Sequence, residues 1–199
     1  MTVHRILLTL VALCIGTAAG VAADKAVVRF PSPNKQFAIR ASPPTGADTD
    51  WKVEVIEKKT GQAVGDLGST YPAHVDDMVA VWSANSKAIG FATRGEKEGS
   101  AGAYFWNGSA FEAGTFPETL PDPDINYGKG GGGGVKNYGG FITPLRWLKS
   151  GELELSSDQT MMSRVNDKTY TGVVLFTLAF DAQHHATVHK VGKSKTKVD

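Results

Sequence analysis

The chain has 199 residues, with 21 basic and 20 acidic side chains and a single cysteine. This balance of charge leaves no global field that would attract nucleic acid, and one cysteine excludes a small scaffold held by intramolecular disulfides. The length suits one domain that builds a substantial hydrophobic core.

The N-terminus predicts export. Arg5 precedes an apolar run from Ile6 to Ile15, and small residues then lead to Ala23 and Asp24. We expect residues 1–23 to be a signal peptide that is cleaved after Ala23.

Two alternatives for this segment fit less well. A membrane anchor needs about 20 apolar residues, roughly twice the length of this run. A lipid anchor on Cys14 needs a small residue where Leu13 stands.

Cleavage leaves 176 residues with 20 basic and 20 acidic side chains, because Arg5 is the only charged residue removed. We expect this mature domain to be soluble and periplasmic or extracellular, without membrane insertion.

Strand patterns dominate the mature chain. Trp51, Val53 and Val55 alternate with Lys52 and Glu54, which predicts a strand with the apolar side chains inward and the charged ones outward. Similar runs predict strands near residues 36–40, 63–64, 79–82, 88–92, 103–106, 109–111, 145–148, 153–155, 171–181 and 186–191.

Two of these segments carry more specific predictions. The pair Asn107-Gly108 between strands predicts a β-hairpin with a two-residue turn. Residues 171–181 are apolar on both faces, which is typical of a central buried strand, and residues 186–191 are its expected hairpin partner. No segment shows a long helical stripe, so at most a turn or two of helix is expected near residues 159–165.

The chain also contains irregular segments. Residues 117–144 hold four prolines and the glycine run 130–134, which predicts a flexible loop. Residues 193–199 are predicted to form a basic tail. We therefore predict a single all-β domain over residues 24–192, an antiparallel meander of roughly 10–12 short strands in blade-like or sandwich-like sheets.

Three segments share an aromatic or apolar residue, a polar turn and an alternating strand. They are residues 30–39 (FPSPNKQFAI), 81–91 (VWSANSKAIGF) and 146–155 (RWLKSGELEL). The pattern resembles the blade hairpin of TolB-like and WD40-like β-propellers. This resemblance implies binding or scaffolding and assigns no site residue. The unequal spacing, with room for about three units, argues against a closed propeller.

Possible metal ligands are few. His184, His185 and His189 lie close in sequence, but a strand would separate the last two rings by about 13 Å, so surface histidines are favoured. Asp122 and Asp124 suggest a weak cation site, with a solvated loop as the favoured alternative. We expect no bound metal and no cofactor.

Catalytic motifs are also missing from the sequence. It contains no Gly-x-Ser-x-Gly elbow and no His-Glu-x-x-His, and the glycine run does not fit a phosphate loop. His74, Asp76 and Asp77 are the residues that a small hydrolase would use. The tryptophans suggest a sugar-binding groove, but their strand positions favour core packing; they are Trp51, Trp82, Trp106 and Trp147.

The favoured function is a non-catalytic exported β domain that binds a protein or glycan partner in the cell envelope. A small envelope hydrolase is the alternative. Loops carry binding residues more often than sheets do, so the candidate partner-binding residues are those flanking the glycine run: Tyr127, Lys129, Lys136 and Tyr138. The alternative for this loop is a spacer with no binding role.

Overall fold

The computed structural model describes residues 25–45, 47–97, 99–129 and 132–199. The signal peptide predicted over residues 1–23 lies outside the described residues. The strands are β1 (Val27–Arg29), β2 (Phe37–Ser42), β3 (Trp51–Glu57), β4 (Ala63–Thr70), β5 (Val79–Trp82), β6 (Ala88–Arg94), β7 (Gly99–Trp106), β8 (Phe111–Ala113), β9 (Val135–Trp147), β10 (Leu153–Ser163), β11 (Thr169–Phe180), β12 (Ala186–Val191) and β13 (Lys195–Val198).

The all-β prediction is confirmed, and the strands form two sheets. One is a curled, open sheet of eight strands in the order β1-β2-β3-β4-β8-β7-β6-β5. The other runs β12-β11-β10-β9, with β13 also paired to β11. As the described residues form them, neither sheet closes on itself. Within the described part of the chain, no helix is long and apolar enough to cross a membrane.

The topology divides the strands into three antiparallel meanders of four: β1–β4, β5–β8 and β9–β12. The last strands of successive meanders meet in parallel. Strand β4 meets β8 at Gly65 and Phe111, and Thr115 bridges to His185 immediately before β12. The three segments with a shared sequence pattern therefore span the first hairpin of each meander.

The first two of these hairpins use the same turn. The carbonyl oxygens of Ser32 and Ser83 accept the amide N–H three residues onward, at 2.9 Å in both turns. Their hydroxyls accept the N–H five residues onward, at 3.0 and 2.8 Å. A left-handed residue closes each turn, Lys35 (φ 62°) in one and Ser86 (φ 60°) in the other. These side-chain bonds to the backbone explain why the polar pattern recurs.

A tryptophan ties each later meander to the one before it. The indole Nε1 of Trp82 donates to the carbonyl oxygen of Phe30 at 2.9 Å. In the same way, Nε1 of Trp147 donates to the carbonyl oxygen of Val81 at 3.2 Å. Phe30 and Val81 each stand two residues before the turn serine of their own hairpin, so both junctions use an equivalent contact.

The second meander lies between two hydrophobic cores. The first core, which includes Ile39 and Ile89, joins it to the first meander. The second core, which includes Ala103 and Phe176, joins it to the third. Strand side chains point alternately to opposite faces, and β6, in the middle, is buried at six of its seven residues. The second meander thus shares one core with each of the other two.

Burial differs from the sequence prediction at two positions. Glu54 is 8% exposed rather than outward, and its carboxylate pairs with Arg40 at 2.9 Å and Lys52 at 2.7 Å. Burial raises the pKa of Glu54. The hydrogen bonds from Lys52 and Arg40 lower this pKa by more than burial raises it, so the net pKa is below its usual range. Leu175 is 46% exposed, so β11 is central but not buried on both faces.

The loop predicted over residues 117–144 is shorter than expected, because Val135–Trp147 forms β9. Part of the remaining loop is fastened to the third meander and the C-terminus. The N–H groups of Asp124 and Asn126 donate to the hydroxyls of Ser194 and Thr196, at 2.8 and 2.9 Å. The stretch predicted as a basic tail accordingly contains strand β13, which pairs with β11.

Two local predictions also need correction. The hairpin at Asn107 exists, but its loop has four residues, and only Gly108 has a left-handed φ, of 109°. The Asn107 side chain accepts the N–H groups of Ser109 and Ala110, both at 2.9 Å, which favours this wider turn. The helical turn expected near residues 159–165 is instead the end of β10, and the one helix among the described residues is the 3₁₀ segment Pro72–Asp77.

Candidate functional site

A concave cleft of about 490 Å³ lies beside the first half of β9. It is bounded by the β6–β7 hairpin tip, by the proline-containing loop and by the middle of β10, and we call it the β9 cleft. The polar and aromatic side chains among its described lining residues are Lys97, Asp122, Asn137, Tyr138, Phe141, Ser157, Asp158 and Gln159. The cleft therefore combines carboxylates, amides, an ammonium group and a phenol ring from four separate parts of the chain.

A β-bulge shapes one wall of the cleft. The pairing of β9 with β10 shifts between Gly139, opposite Thr160, and Asn137, opposite Met161. Tyr138 lies between these pairs and is 51% exposed. Bulges bend a strand and re-aim its side chains, so this irregularity directs the tyrosine away from the regular ladder.

Glycine is required next to the bulge. Gly139 has a φ of 132°, and a Cβ there would lie only 2.1 Å from the carbonyl oxygen of Lys97. The same carbonyl accepts the N–H of Gly140 at 3.0 Å. Gly139 thus lets the β6–β7 hairpin approach β9 closely, which brings Lys97 to the edge of the cleft. A Cβ on Gly140 would instead lie 2.6 Å from the carbonyl oxygen of Asp158 in β10.

Asp158 is the least exposed charged group of the cleft, with 23% of its side chain accessible. Burial raises the pKa of this carboxyl group, against the opposing effects of Arg94 and of the backbone N–H of Phe141. The guanidinium of Arg94 lies 3.9 Å from the carboxylate, beyond direct hydrogen-bonding distance. The carboxylate thus keeps capacity to accept hydrogen bonds from a ligand.

Arg94 is held in place by two other contacts. Its Nη2 donates to the hydroxyl of Thr143 at 2.9 Å, and its guanidinium lies 5.0 Å from the centre of the Phe141 ring. The arginine therefore supports the wall of the cleft through β9 and is not one of its lining residues.

A second groove, of about 700 Å³, lies on the other side of the β6–β7 hairpin tip. We call it the His74 groove; its described lining includes Tyr71, His74, Glu96 and Lys97. His74 Nδ1 is 2.9 Å from the carboxylate of Asp77, whereas Asp76 pairs with Arg29. No serine, threonine or cysteine occurs among the described residues of this groove, so the His74–Asp77 pair has no aliphatic hydroxyl or thiol nucleophile there.

The candidate partner-binding residues do not form one cluster. Tyr138 lines the β9 cleft, and Lys136 Nζ lies 5.8 Å from the centre of its ring. Tyr127 instead packs edge-on against Tyr170, with ring centres 5.2 Å apart. Lys129 is exposed near the end of the described part of the loop. Of the two tyrosines, Tyr138 is the one placed to contact a ligand in the cleft.

The acidic pair considered for a cation is divided between two settings. Asp122 lines the β9 cleft, and the backbone N–H of Asp124 is bonded to Ser194. Across the described ranges, no group of three or more histidine, cysteine or acidic side chains is arranged to hold a metal ion.

The three neighbouring histidines have separate partners. His184 stacks on Phe105, with ring centres 4.0 Å apart, whereas His185 Nδ1 lies 3.5 Å from Asp181. His189 pairs with Glu152 on the preceding hairpin. The three histidines therefore do not share one site.

The tryptophans are core residues, as their strand positions favoured. Trp51 is 6% exposed. Trp82 and Trp106 pack on the first core, and Trp147 packs on the second. The described aromatic residues that line the β9 cleft are therefore Tyr138 and Phe141 rather than a tryptophan, and Tyr138 is the exposed one.

Sequence reasoning missed Lys97, Asp158 and Gln159. Lys97 stands in a charged segment with no recognisable motif, Gln159 falls at the start of the expected helical turn, and Asp158 directly precedes that turn. The available signal was limited to the alternation of Leu153 and Leu155 with Glu154, because residues 156–160 of β10 are all polar.

The chain was also compared with known proteins. No protein-family model, no curated protein and no solved structure matches it significantly. The resemblance to propeller blade hairpins thus remains an expectation from the sequence, and functional arguments depend on the cleft itself.

Proposed function

We propose that this protein is an exported, non-catalytic β domain that binds a protein or glycan partner in the cell envelope. The β9 cleft is the observation that carries the proposal. It is concave, it lies within the range of roughly 300–1,000 Å³ typical of small-ligand sites, and it presents convergent polar groups beside an exposed tyrosine.

The packing of the three meanders supports a role in binding a partner. Two cores hold the second meander between the other two, so the hairpin and strand that flank the cleft extend from packed sheets. Binding residues on a rigid scaffold lose less freedom when a ligand binds. Export is supported by the pattern of residues 1–23 and belongs to the same proposal.

The test uses the mature domain, residues 24–199, as bait in an extract of the cell envelope. Both captured proteins and captured polysaccharide are measured. We expect capture by the wild type and its loss with Tyr138→Ala. Tyr71→Ala is the matched control, because Tyr71 is also an exposed tyrosine, at 60%, but lies in the other groove. Absence of any captured component, or equal capture by Tyr138→Ala, would contradict the proposal.

Export has its own measurement. Sequencing the N-terminus of protein recovered from the envelope fraction should give Asp24 as the first residue. Recovery of a chain that still carries residues 1–23 would show that the signal peptide assignment is wrong.

A small envelope hydrolase is the second candidate, and the His74–Asp77 pair beside a groove is the observation that favours it. A carboxylate bonded to Nδ1 orients an imidazole that acts as a general base. Hydrolysis of fluorogenic ester or glycoside substrates that disappears in His74→Ala would establish this alternative over the binding proposal.

A further inference from the structure

The β9 cleft has a chemical character that narrows the class of ligand. We propose that it binds a short, uncharged oligosaccharide, with one sugar ring against Tyr138 and hydroxyl groups donating to Asp158 and Asp122. This inference rests on the proposed binding function and selects a glycan over a protein partner.

Hydrogen-bonding capacity is the first argument. The lining carboxylates accept hydrogen bonds, and the amides of Asn137 and Gln159 both donate and accept. A sugar hydroxyl donates one hydrogen bond and accepts others, so such mixed groups satisfy several hydroxyls at once. A site that pairs polar groups of this kind discriminates strongly against ligands that lack them.

Tyr138 supplies the second argument. Its ring is 51% exposed although the bulge that carries it is tied into the sheet. Neighbouring N–H groups are bonded, since Gly139 donates to the Asn137 side chain at 2.8 Å and Gly140 to Lys97 at 3.0 Å. Tyrosine combines a large apolar face with a polar tip, which matches the C–H face and hydroxyl edge of a sugar ring.

Charge provides the third argument. Lys97 is the one cation among the described lining residues, against the two carboxylates of Asp122 and Asp158. The lining itself is therefore net acidic and disfavours an acidic polysaccharide, although Lys136 lies 5.8 Å from the Tyr138 ring and Arg94 lies 3.9 Å from Asp158, just outside this lining. An uncharged sugar avoids this repulsion and still uses the carboxylates as acceptors.

The shape of the cleft separates a glycan from a protein. The centre of a protein interface is depleted in charged residues and buries about 800 Å² on each partner. The β9 cleft instead places charged groups along its walls in a volume of about 490 Å³. These features suit the edge of a small polar ligand better than the apolar centre of a protein interface.

Isothermal titration calorimetry with defined tetrasaccharides tests the inference. The neutral probes are chitotetraose and cellotetraose, and the anionic probe is tetragalacturonate. We expect at least one neutral probe to bind and tetragalacturonate to bind at least tenfold more weakly. Tyr138→Ala and Asp158→Asn should each weaken the neutral probe about tenfold or more, equivalent to about 1.4 kcal/mol. Tyr71→Ala should bind like the wild type.

Each outcome separates the inference from the binding function. Capture of an envelope protein without binding of any neutral tetrasaccharide would overturn the glycan assignment and leave the binding function standing. Failure of both experiments would remove both proposals. Binding that is unchanged by Tyr138→Ala, or that favours tetragalacturonate, would also overturn the assignment. Circular dichroism of each variant verifies that lost binding does not reflect unfolding.

Discussion

At the scale of single residues, burial and backbone geometry decide which positions tolerate change. Gly90 in β6 faces the third meander, and a Cβ there would lie 2.9 Å from side-chain atoms of Leu153, Pro144 and Val81. Asp158 is constrained by electrostatics instead, because its carboxylate is partly buried away from water. Neither constraint is visible in the neighbouring sequence, because both depend on a different meander or strand.

Gly90→Ala should destabilise the protein by about 1–3 kcal/mol, the usual cost of forcing an extra carbon into a packed core. Urea unfolding followed by tryptophan fluorescence measures this change. Gly132→Ala is the control, because the nearest atoms to a Cβ there are 3.7 Å away or more. Equal stability of Gly90→Ala and wild type would show that the second and third meanders pack less closely than described.

Asp158→Asn should change how stability depends on pH. The folded state raises the pKa of this carboxyl group, so it binds the proton more tightly than the unfolded state does. Wild-type stability is therefore lost as pH rises from the ordinary pKa through the raised pKa. We expect the asparagine variant to gain unfolding free energy over wild type at pH 7 and to lose that advantage near pH 3.5. A wild type that is the more stable protein at pH 7 would contradict this sign.

At the scale of elements, turns and edges are closed by side chains bonded to backbone groups. The four-residue loop between β7 and β8 depends on Asn107, which accepts two N–H groups, and on the left-handed Gly108. The proline-containing loop depends similarly on two hydroxyls near the C-terminus, Ser194 and Thr196. Local chemistry explains the first arrangement, whereas the second joins segments about seventy residues apart.

Gly108→Val should lower the unfolding free energy by about 1 kcal/mol or more, because a β-branched residue resists a left-handed φ. Space is not the cause, since a Cβ at this glycine would meet nothing within 4 Å. Thermal unfolding of Gly108→Val is compared with that of Ser109→Ala, a control substitution in the same loop. The comparison separates the effect of the left-handed backbone at Gly108 from a general effect of changing the loop. Identical melting of both variants would argue against the assigned turn.

Removing residues 194–199 should loosen the proline-containing loop. The loss of β13 and of the two hydroxyl acceptors should cost the loop about 1 kcal/mol, which corresponds to roughly fivefold more frequent local opening. Limited trypsin digestion measures the rate of cleavage after Lys129, which should rise by a similar factor. The double variant Ser194→Ala and Thr196→Ala keeps β13 and tests the two hydroxyl acceptors alone. An unchanged cleavage rate in both the truncated protein and the double variant would show that other contacts hold the loop.

At the scale of the whole molecule, three meanders share two cores, and the middle one contributes to both. Adjacent residues of β7 show this arrangement, since Phe105 packs on the second core and Trp106 on the first. The indole donors of Trp82 and Trp147 add one hydrogen bond across each junction. Because no meander buries its apolar faces alone, the three should fold as one cooperative unit.

A fragment that ends at residue 115 tests this dependence. It retains the eight-stranded sheet but exposes the face of the second meander that carries Val81, Ala103 and Phe105. We expect the fragment to aggregate or to lack a cooperative thermal transition, while the mature domain unfolds in a single step. A soluble fragment with its own sharp transition would show that the first two meanders form an independent domain.

The sequence by itself determined the β class, most strand positions and the places where the first hairpins turn. Alternation along a strand and polar turns such as those at Ser32 and Ser83 are local properties, so neighbouring residues suffice to predict them. The expected open arrangement of about three units also agrees with the three meanders. Errors arose where a local pattern was weak, as in the polar half of β10 and the edge strand β13.

Only the tertiary structure decided burial on the second face of each strand and the composition of the cleft. Glu54 is buried because Arg40 and Lys52 supply its partners, and the sequence pattern cannot reveal that pairing. Lys97 and Asp158 line one cleft because strand register, a bulge and two glycines bring distant segments together. Register is set by pairing across the sheet, so the β9 cleft exists only once the second and third meanders have packed.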